Sequence, residues 1–209
     1  MVLSPPVLEP PSASLSSSLA IPHHQPEAER KTPLLRARKA RLHDACVIHH
    51  LIESFTHDNT LLFRSYAEIC ENIHTFTVVE TSSGQFIGCA ALHVYGQHLA
   101  EIRSIVVNPK IQKTGAGSLL IRTLLDLAEV RGIRCVCLFT RIPAFFQHFS
   151  FRVVERETLP DKVGKDCIHC TRRNACDEIA MAIGELPDSL LASNFFHSRR
   201  HADLIQLQL

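Results

Sequence analysis

Residues 100 to 132 read AEIRSIVVNPKIQKTGAGSLLIRTLLDLAEVRG, and this stretch decides the fold. Its first part is rich in β-branched residues and predicts a buried strand, whereas its second half repeats apolar residues at helical spacing. Between them, Gln112, Gly115 and Gly117 form the pattern Gln/Arg-x-x-Gly-x-Gly/Ala. Glycines let a backbone approach a ligand closely, and the free N–H groups that begin a helix attract anions. The stretch therefore predicts a phosphate-binding loop before a helix that begins near Ser118.

Two other phosphate-binding loops do not fit this spacing. A P-loop requires four residues between its glycines, followed by Lys and Ser or Thr. A dinucleotide-binding loop requires a third glycine, where this chain has Leu120, and an acidic residue after the next strand, where it has Thr140. Taken alone, the pattern is equally compatible with an ordinary glycine turn, so the flanking elements have to decide.

Length and composition predict one folded domain. The chain has 209 residues, of which 45% are hydrophobic, and its net charge of +1 gives no reason to expect nucleic acid or a membrane as partner. The apolar runs are too short to span a bilayer. Neither a secretory signal nor a transit peptide is evident, so we expect the eight cysteines to be reduced thiols and the protein to be cytoplasmic.

The composition changes near residue 34. Residues 1–33 hold seven of the eleven prolines, six serines and no Lys or Arg before Arg30. Such a segment cannot bury enough apolar surface to offset its ordering entropy, which predicts a disordered tail. We expect the folded domain at residues 34–185 and a C-terminal extension at residues 186–209, as an amphipathic helix or a tail.

From residue 34 onward, hydrophobic periodicity predicts the order β, α, α, three antiparallel β, α, β, α, β. Asp44 is expected to cap the first helix. The three consecutive strands, near residues 76–80, 86–95 and 99–107, are joined by short turns and form an antiparallel meander. The strand, helix and strand that follow predict a parallel pair. The fold class is therefore α/β, with a mixed sheet.

The last strand of the meander has an irregular apolar pattern. Ile102 lies at odd spacing from Ile105 and Val107, so one face of the strand cannot bury all three in a regular pleat. An extra residue near Arg103 or Ser104 would bring them onto one face. The sequence therefore predicts a β-bulge at this point.

Five separated segments resemble the GNAT superfamily of N-acetyltransferases, and within it the stand-alone acetyltransferase form of bacterial N-acetylglutamate synthases. They are LLFRS, IGCAALHVYGQHLAEIRSIVVNP, FFQHFSF, LPDKVGKDCIHC and CDEIAM. The resemblance implies the GNAT acyl-CoA N-acyltransferase fold, a mixed, mostly antiparallel sheet with a bulged fourth strand and flanking helices. It also implies acetyl-CoA as acetyl donor, and the α-amino group of glutamate or a similar amino acid as acceptor, in the first step of arginine biosynthesis.

The resemblance further implies that acetyl-CoA lies where the fourth and fifth strands splay apart. The glycine loop would hold its pyrophosphate, and backbone N–H groups at the bulge would bind the acetyl carbonyl oxygen. The expected cofactor-binding residues are Ile105, Val106, Val107, Gln112, Lys113, Thr114, Gly115, Ala116, Gly117 and Ser118.

Acetyl transfer to an amine requires a base, because a free α-amino group is mostly protonated at neutral pH. Glu101 lies where GNAT enzymes often carry that base, although a strand-end carboxylate paired with a neighbouring arginine is an equal alternative. Many GNAT enzymes protonate the leaving thiolate with a tyrosine, where this chain has Phe146. Thr140 or water would then supply the proton, unless the thiolate leaves without one.

An acidic amino-acid substrate requires cations for its carboxylates, and arginine binds a carboxylate with two hydrogen bonds. Arg64, in LLFRS, matches a family segment near the substrate carboxylate, and Arg103 and Lys165 are weaker candidates. Outside this function, the alternatives are a GNAT enzyme acting on another small amine or on protein, and a catalytically silent acetyl-CoA-binding sensor. A homodimer is left open.

Three cysteines near the end of the domain resemble part of a metal site. Cys167 and Cys170 form a Cys-x-x-Cys pair, with Cys176 nearby, but His169 lies inside the pair and no second pair exists. We expect these residues to be packed or redox-labile thiols, and we assign no metal ligand.

Overall fold

The structure is a computed structural model that describes residues 34–57, 60–111 and 113–187. Its strands are β1 (Leu35–Lys39), β2 (Phe76–Thr81), β3 (Phe86–Gly96), β4 (Leu99–Val107), β5 (Cys135–Thr140), β6 (Arg152–Val153) and β7 (Ile179–Gly184). Its helices are α1 (Ala45–Glu53), α2 (Tyr66–Glu71), α3 (Ala116–Val130), α4 (Pro143–Gln147) and α5 (Pro160–Lys165). The strands form one mixed sheet in the order β1-β2-β3-β4-β5-β7-β6.

The predicted order of elements is confirmed, with two additions near the C-terminal end of the domain. β6, which was expected to be the last strand, has two residues and lies at the edge of the sheet. The main partner of β5 is instead β7, which pairs with it antiparallel along six residues. The second addition is α5. The proposed tails, residues 1–33 and the extension from residue 188, lie outside the described residues, so the predicted domain bounds stay predictions.

β4 carries the predicted bulge. The step from Cys89 to Ala91 on β3 faces the longer step from Val106 to Arg103 on β4, so β4 has one extra residue. Ser104 absorbs the irregularity with a φ of 53°, which few residues other than glycine adopt. Consequently Ile102, Ile105 and Val107 all pack against the same apolar cluster.

Beyond the bulge, β4 and β5 separate. Their parallel pairing consists of two register pairs, Ala100 with Val136 and Glu101 with Cys137. After these residues β4 continues alongside β3, and β5 continues alongside β7. The two strands therefore splay apart, as the resemblance implied, and leave a gap whose sides are the C-terminal halves of β4 and β5.

Apolar residues cover both faces of the sheet. On one face, the buried stripe of α3 packs against the central strands, and its members are Ala116, Leu120, Ile121, Leu124 and Ala128. On the other face, α1 and α2 contribute Ile48, Ile52 and Ile69, while Leu159 at the start of α5 packs against Leu99 and Cys137. Across the part of the chain that the structure describes, each helix is too short or too polar to span a bilayer.

Asp44 does not cap α1, contrary to the prediction. Its carboxylate accepts hydrogen bonds from the backbone N–H of Arg41 at 2.7 Å and from the guanidinium of Arg38 at 2.7 and 2.9 Å. Arg38 also donates to Glu80 at 2.8 Å, and Arg36 pairs with the same carboxylate. The Arg38 hydrogen bond lowers the pKa of Asp44, and Arg36 and Arg38 lower the pKa of Glu80. The Asp44 carboxylate is thus engaged by Arg38 and Arg41 and does not bond to the N–H groups that begin α1.

We expect Arg38→Met to destabilise the fold by about 3 kcal/mol at pH 7, because it leaves two buried carboxylates short of a cation. Because both carboxyl pKa values are lowered in the folded state, this stabilisation is present above the unfolded pKa of about 4 and is lost as the pH falls. Urea unfolding at pH 7 and pH 4 measures the difference, which should shrink at pH 4. The control is Arg36→Met, whose side chain is 69% exposed and should cost less than about 1 kcal/mol. Equal costs for the two variants would contradict this account.

Candidate active site

The loop before α3 has the form that an anion site requires. Gly115 has a φ of 88°, and an added Cβ would meet nothing within 4 Å, so the space beside it is open. No described side chain caps α3, and the first intrahelical bond runs from the N–H of Leu119 to the carbonyl of Gly115 at 2.9 Å. The N–H groups of the three residues between them point out of the helix end. This end can therefore accept a pyrophosphate without displacing a protein group.

The remaining loop residues hold the backbone in place. Thr114 donates its hydroxyl to the carbonyl of Ile111 at 2.9 Å, and Lys113 has a positive φ of 64°. A Cβ on Gly117 would lie 3.4 Å from the ring of Phe145, so α4 packs beside the start of α3. Gln112, which was expected to bind the cofactor, lies outside the described residues.

Glu101 lies at the point where β4 and β5 separate, and it is 3% exposed. Its Oε1 lies 2.7 Å from the ammonium of Lys162, and its Oε2 lies 3.0 Å from the hydroxyl of Tyr95. The alternative expectation, a pair with a neighbouring arginine, is wrong in the partner, because the cation is a lysine from α5. The carboxylate is therefore held in one orientation at the inner end of the gap.

Asp166 joins this group from the residue after α5. Its Oδ2 lies 2.6 Å from the Tyr95 hydroxyl, 3.1 Å from the Lys162 ammonium and 3.5 Å from Arg103. Burial by itself would lower the pKa of Lys162, but the charges of Glu101 and Asp166 outweigh it and raise that pKa. Burial likewise opposes ionisation of Asp166, yet its hydrogen bond from Tyr95 and the charge of Lys162 lower its pKa. Lys162 and Asp166 are thus both kept ionised.

Two predicted substrate residues, Arg64 and Arg103, line the same open pocket, together with Glu68. Ser104 of the bulge also lines it, so the pocket adjoins the irregular part of β4. Arg64 pairs with Glu68 of α2, while Arg103 faces Asp166. Guanidinium groups bind carboxylates well, so this pocket brings together two of the three residues that were predicted to hold the substrate.

Lys165 does not line this pocket. Its ammonium pairs with Asp161 at 2.7 Å and lies 5.5 Å from the centre of the Tyr95 ring. His98 contacts the other oxygen of Asp161 at 2.7 Å. Lys165 therefore pairs within α5 and is not brought into the pocket with the two arginines.

Thr140 ends β5 and is buried. Its hydroxyl oxygen accepts the N–H of Ile142 at 3.0 Å, which leaves the hydroxyl hydrogen available to another acceptor. Because side chains alternate along a strand, Thr140 shares a face with Leu138, which packs in the cluster under α3, whereas Glu101 shares a face with Leu99 on the opposite side. Glu101 on β4 and Thr140 on β5 therefore project from opposite faces of the sheet.

Phe146, which stands at the tyrosine position of other GNAT enzymes, is 3% exposed and packs in the core. The cysteines near α5 remain free thiols, and burial raises the pKa of Cys167 and Cys170. Among the described residues, His49, His50 and Glu53 of α1 are the group whose metal-ligating atoms lie within 4.8 Å of one another, and the cysteines form no such group.

Residues 42–151, more than half of the chain, match the sequence profile of the Acetyltransferase (GNAT) family. The chain belongs to this family. It is therefore an acetyl-CoA-dependent acetyltransferase of the GNAT type, and the uncapped start of α3 and the gap between β4 and β5 fit the acetyl donor that the family uses. The resemblance drawn from the sequence motifs is confirmed at this level.

Curated relatives include an uncharacterized N-acetyltransferase of Chlorobaculum tepidum, 38% identical over 144 residues that make up 69% of this chain and 92% of that protein. The amino-acid acetyltransferase of Mycobacterium tuberculosis is 30% identical over 56% of this chain and 68% of its own length. That of Aeromonas salmonicida is 32% identical over 60% of this chain. The match spans 28% of the Aeromonas protein, so most of that protein has no counterpart in the aligned region.

Solved structures of the same fold include N-acetylglutamate synthase from Neisseria gonorrhoeae complexed with coenzyme A and N-acetyl-glutamate. Its TM-score is 0.65 at 25% identity, over 74% of this chain and 36% of that chain. A Mycobacterium tuberculosis protein in complex with CoA has a TM-score of 0.63 at 24% identity, over 72% of this chain and 99% of that chain. The predicted GNAT fold is confirmed.

Sequence reasoning missed Tyr95, Lys162 and Asp166. The signals were present, since Lys162 lies in a helix that begins with proline and Asp166 follows it four residues later, at the end of that helix. What the sequence did not indicate was that this face packs onto Glu101, which is about sixty residues away along the chain.

Proposed function

We propose that the chain transfers acetyl from acetyl-CoA to the α-amino group of glutamate or a similar amino acid. The observation that carries this proposal is the pocket beside the bulge, which Arg64 and Arg103 both line. The relatives named amino-acid acetyltransferase support it. If glutamate is the acceptor, the product is N-acetylglutamate, and we propose that it enters arginine biosynthesis.

In this proposal the two ends of the reaction are held by different elements. The N–H groups at the start of α3, from Ala116 to Ser118, and the loop from residue 112 to Gly115 bind the pyrophosphate of acetyl-CoA, which supplies the activated acetyl group. Arg64 and Arg103 bind the carboxylates of the amino acid. Glu101 lies on the same strand as Arg103 and two residues before it, so both project to the same face of β4.

Glu101 takes a proton from the α-ammonium group, which frees the nitrogen lone pair to attack the acetyl carbonyl. Backbone N–H groups of Ile105 to Val107 stabilise the negative charge that develops on the carbonyl oxygen. β4 is unpaired with β5 beyond Glu101, so these groups lie beside the gap. Thr140, on the other side of the gap, or water gives a proton to the departing thiolate.

We expect Arg64→Ala to raise the KM for glutamate by roughly 10- to 100-fold, because a charge-assisted hydrogen bond contributes about 1.5–3 kcal/mol. Glutamine serves as the comparison substrate, since it lacks the side-chain carboxylate. If Arg64 binds that carboxylate, the variant loses the preference for glutamate over glutamine. If it binds the α-carboxylate, both KM values rise together.

Arg122→Ala is the matched control for this experiment, because Arg122 is exposed on α3 and lies outside the pocket. It should leave both KM values unchanged. Unchanged KM and kcat values for Arg64→Ala with both substrates would show that Arg64 does not hold the substrate. The cytoplasmic location and the oligomeric state stay predictions.

A further inference from the structure

The proposed base is almost sealed from solvent. The side chain of Glu101 is 4% exposed, and it is enclosed by Lys162, Tyr95 and the apolar residues of β5. Converting an ammonium group into an amide removes two protons from the nitrogen. One of them balances the proton that the departing thiolate gains, and the other has to reach solvent in every turnover. Glu101 can act repeatedly only if its proton has a way out.

The described residues provide a short route for this proton. The hydroxyl of Tyr95 lies 3.0 Å from Glu101 Oε2 and 2.6 Å from Asp166 Oδ2, so it bridges the two carboxylates. The side chain of Asp166 is 30% exposed and reaches water. A hydroxyl group is both a donor and an acceptor, so Tyr95 can give its hydrogen to one carboxylate while it accepts a hydrogen from the other.

We propose that Tyr95 passes the proton from Glu101 to Asp166, from which it leaves to solvent. Protonated Glu101 donates to the Tyr95 oxygen, the O–H bond of Tyr95 breaks as its hydrogen moves to Asp166, and Asp166 releases that proton to water. Tyr95 ends each cycle as it began, as a neutral phenol, and both carboxylates are again ionised. This inference rests on the proposed role of Glu101 as base.

The surrounding charges suit such a transfer. Burial and the neighbouring carboxylates raise the pKa of Tyr95, so the phenol stays protonated and serves as a carrier. The ammonium of Lys162 contacts both Glu101 and Asp166, and its charge favours the ionised form of Asp166. Arg103 acts on Asp166 in the same sense. The ring of His93, 4.8 Å from that of Tyr95, has a pKa that burial lowers, so it adds no competing charge at neutral pH.

The test is the time course of thiol release by Tyr95→Phe, mixed rapidly with acetyl-CoA and glutamate. In the first turnover Glu101 holds no proton from an earlier one, so the first equivalent of thiol should appear at the wild-type rate. Later turnovers should be slower by about 100-fold, near the lower limit for proton transfer by a positioned side chain. Asp166→Asn should show the same burst of one equivalent, and the double variant should be no slower than either single variant.

Phenylalanine keeps the ring that packs against the cluster around Leu99 and Leu159, so thermal unfolding is expected to be close to wild type. The control is Tyr66→Phe, which removes the chain's other phenol hydroxyl from a residue that is 50% exposed. Equal slowing of the first and later turnovers would assign Tyr95 a structural role and overturn the proposal, as would a wild-type time course. If instead Glu101→Gln retains full activity, Glu101 is not the base. This outcome distinguishes a failure of the proposed function from a failure of the proton transfer through Tyr95.

Discussion

Glu101→Gln is expected to lower kcat by about 10²- to 10⁴-fold, the range that a positioned acid or base contributes. The amide is nearly isosteric with the carboxylate and accepts the hydrogen bond of Lys162, but it cannot take a proton from the substrate ammonium. Asp166 remains within 3.1 Å of Lys162, so the buried cation keeps a partner and the fold should persist. Steady-state kinetics with glutamate, together with the affinity for acetyl-CoA, measure the effect.

Glu101→Gln should lower kcat without changing the binding of the cofactor. The affinity for acetyl-CoA should not change, because the start of α3 is built independently of Glu101. Raising the pH should partly restore the rate, since a larger share of the amine is then deprotonated without help. Glu129→Gln, at an exposed position of α3, is the matched control. A kcat within a factor of two of wild type at pH 7 would remove Glu101 from the mechanism.

Ser118→Asp is expected to weaken binding of acetyl-CoA by about 10²- to 10³-fold, because two like charges brought together cost several kcal/mol. Ser118 is the third residue of α3, at the end where the pyrophosphate would bind. An acidic residue in the first turn of a helix is normally stabilising, so the variant should unfold at a temperature no lower than wild type. Loss of binding together with retained stability would identify an anion site.

Ser118→Asn separates charge from size in this experiment, because asparagine has the shape of aspartate and no charge. It should bind acetyl-CoA within about tenfold of wild type, as expected for the loss of one neutral hydrogen bond. Calorimetric titration with coenzyme A gives both affinities. If the aspartate and asparagine variants bind equally, the pyrophosphate does not lie at the start of α3.

The parts of the fold that local pattern determines were predictable. The change of parity between Ile102 and Ile105 indicated the bulge, because a pleated strand alternates strictly and only an inserted residue restores the burial of both. The glycine loop indicated the open start of α3, since Gly115 adopts a backbone conformation that other residues rarely take. Each of these conclusions depends on residues that are close together in the sequence.

The parts that depend on long-range contacts were not predictable in this way. The sequence did not predict a strand at IAMAIG, of which only the first three residues belong to the family segment CDEIAM. In the structure this segment is β7, which pairs with β5. The sequence likewise did not indicate that Lys162 and Asp166 would meet Glu101, because an ion pair between distant residues leaves no periodic trace. The ion pair between Asp44 and Arg38 is also a tertiary contact, and it was not predictable from the capping pattern at Asp44.

The most direct test of the account is thiol release from acetyl-CoA, measured with a panel of free amino acids and with peptide and simple amine acceptors. We predict release with glutamate, at a higher kcat/KM than with glutamine or other amino acids, and N-acetylglutamate as the product by mass spectrometry. Release only with other amines or with peptides would contradict the proposed substrate. Tight binding of acetyl-CoA without release to any acceptor would contradict the proposed catalysis.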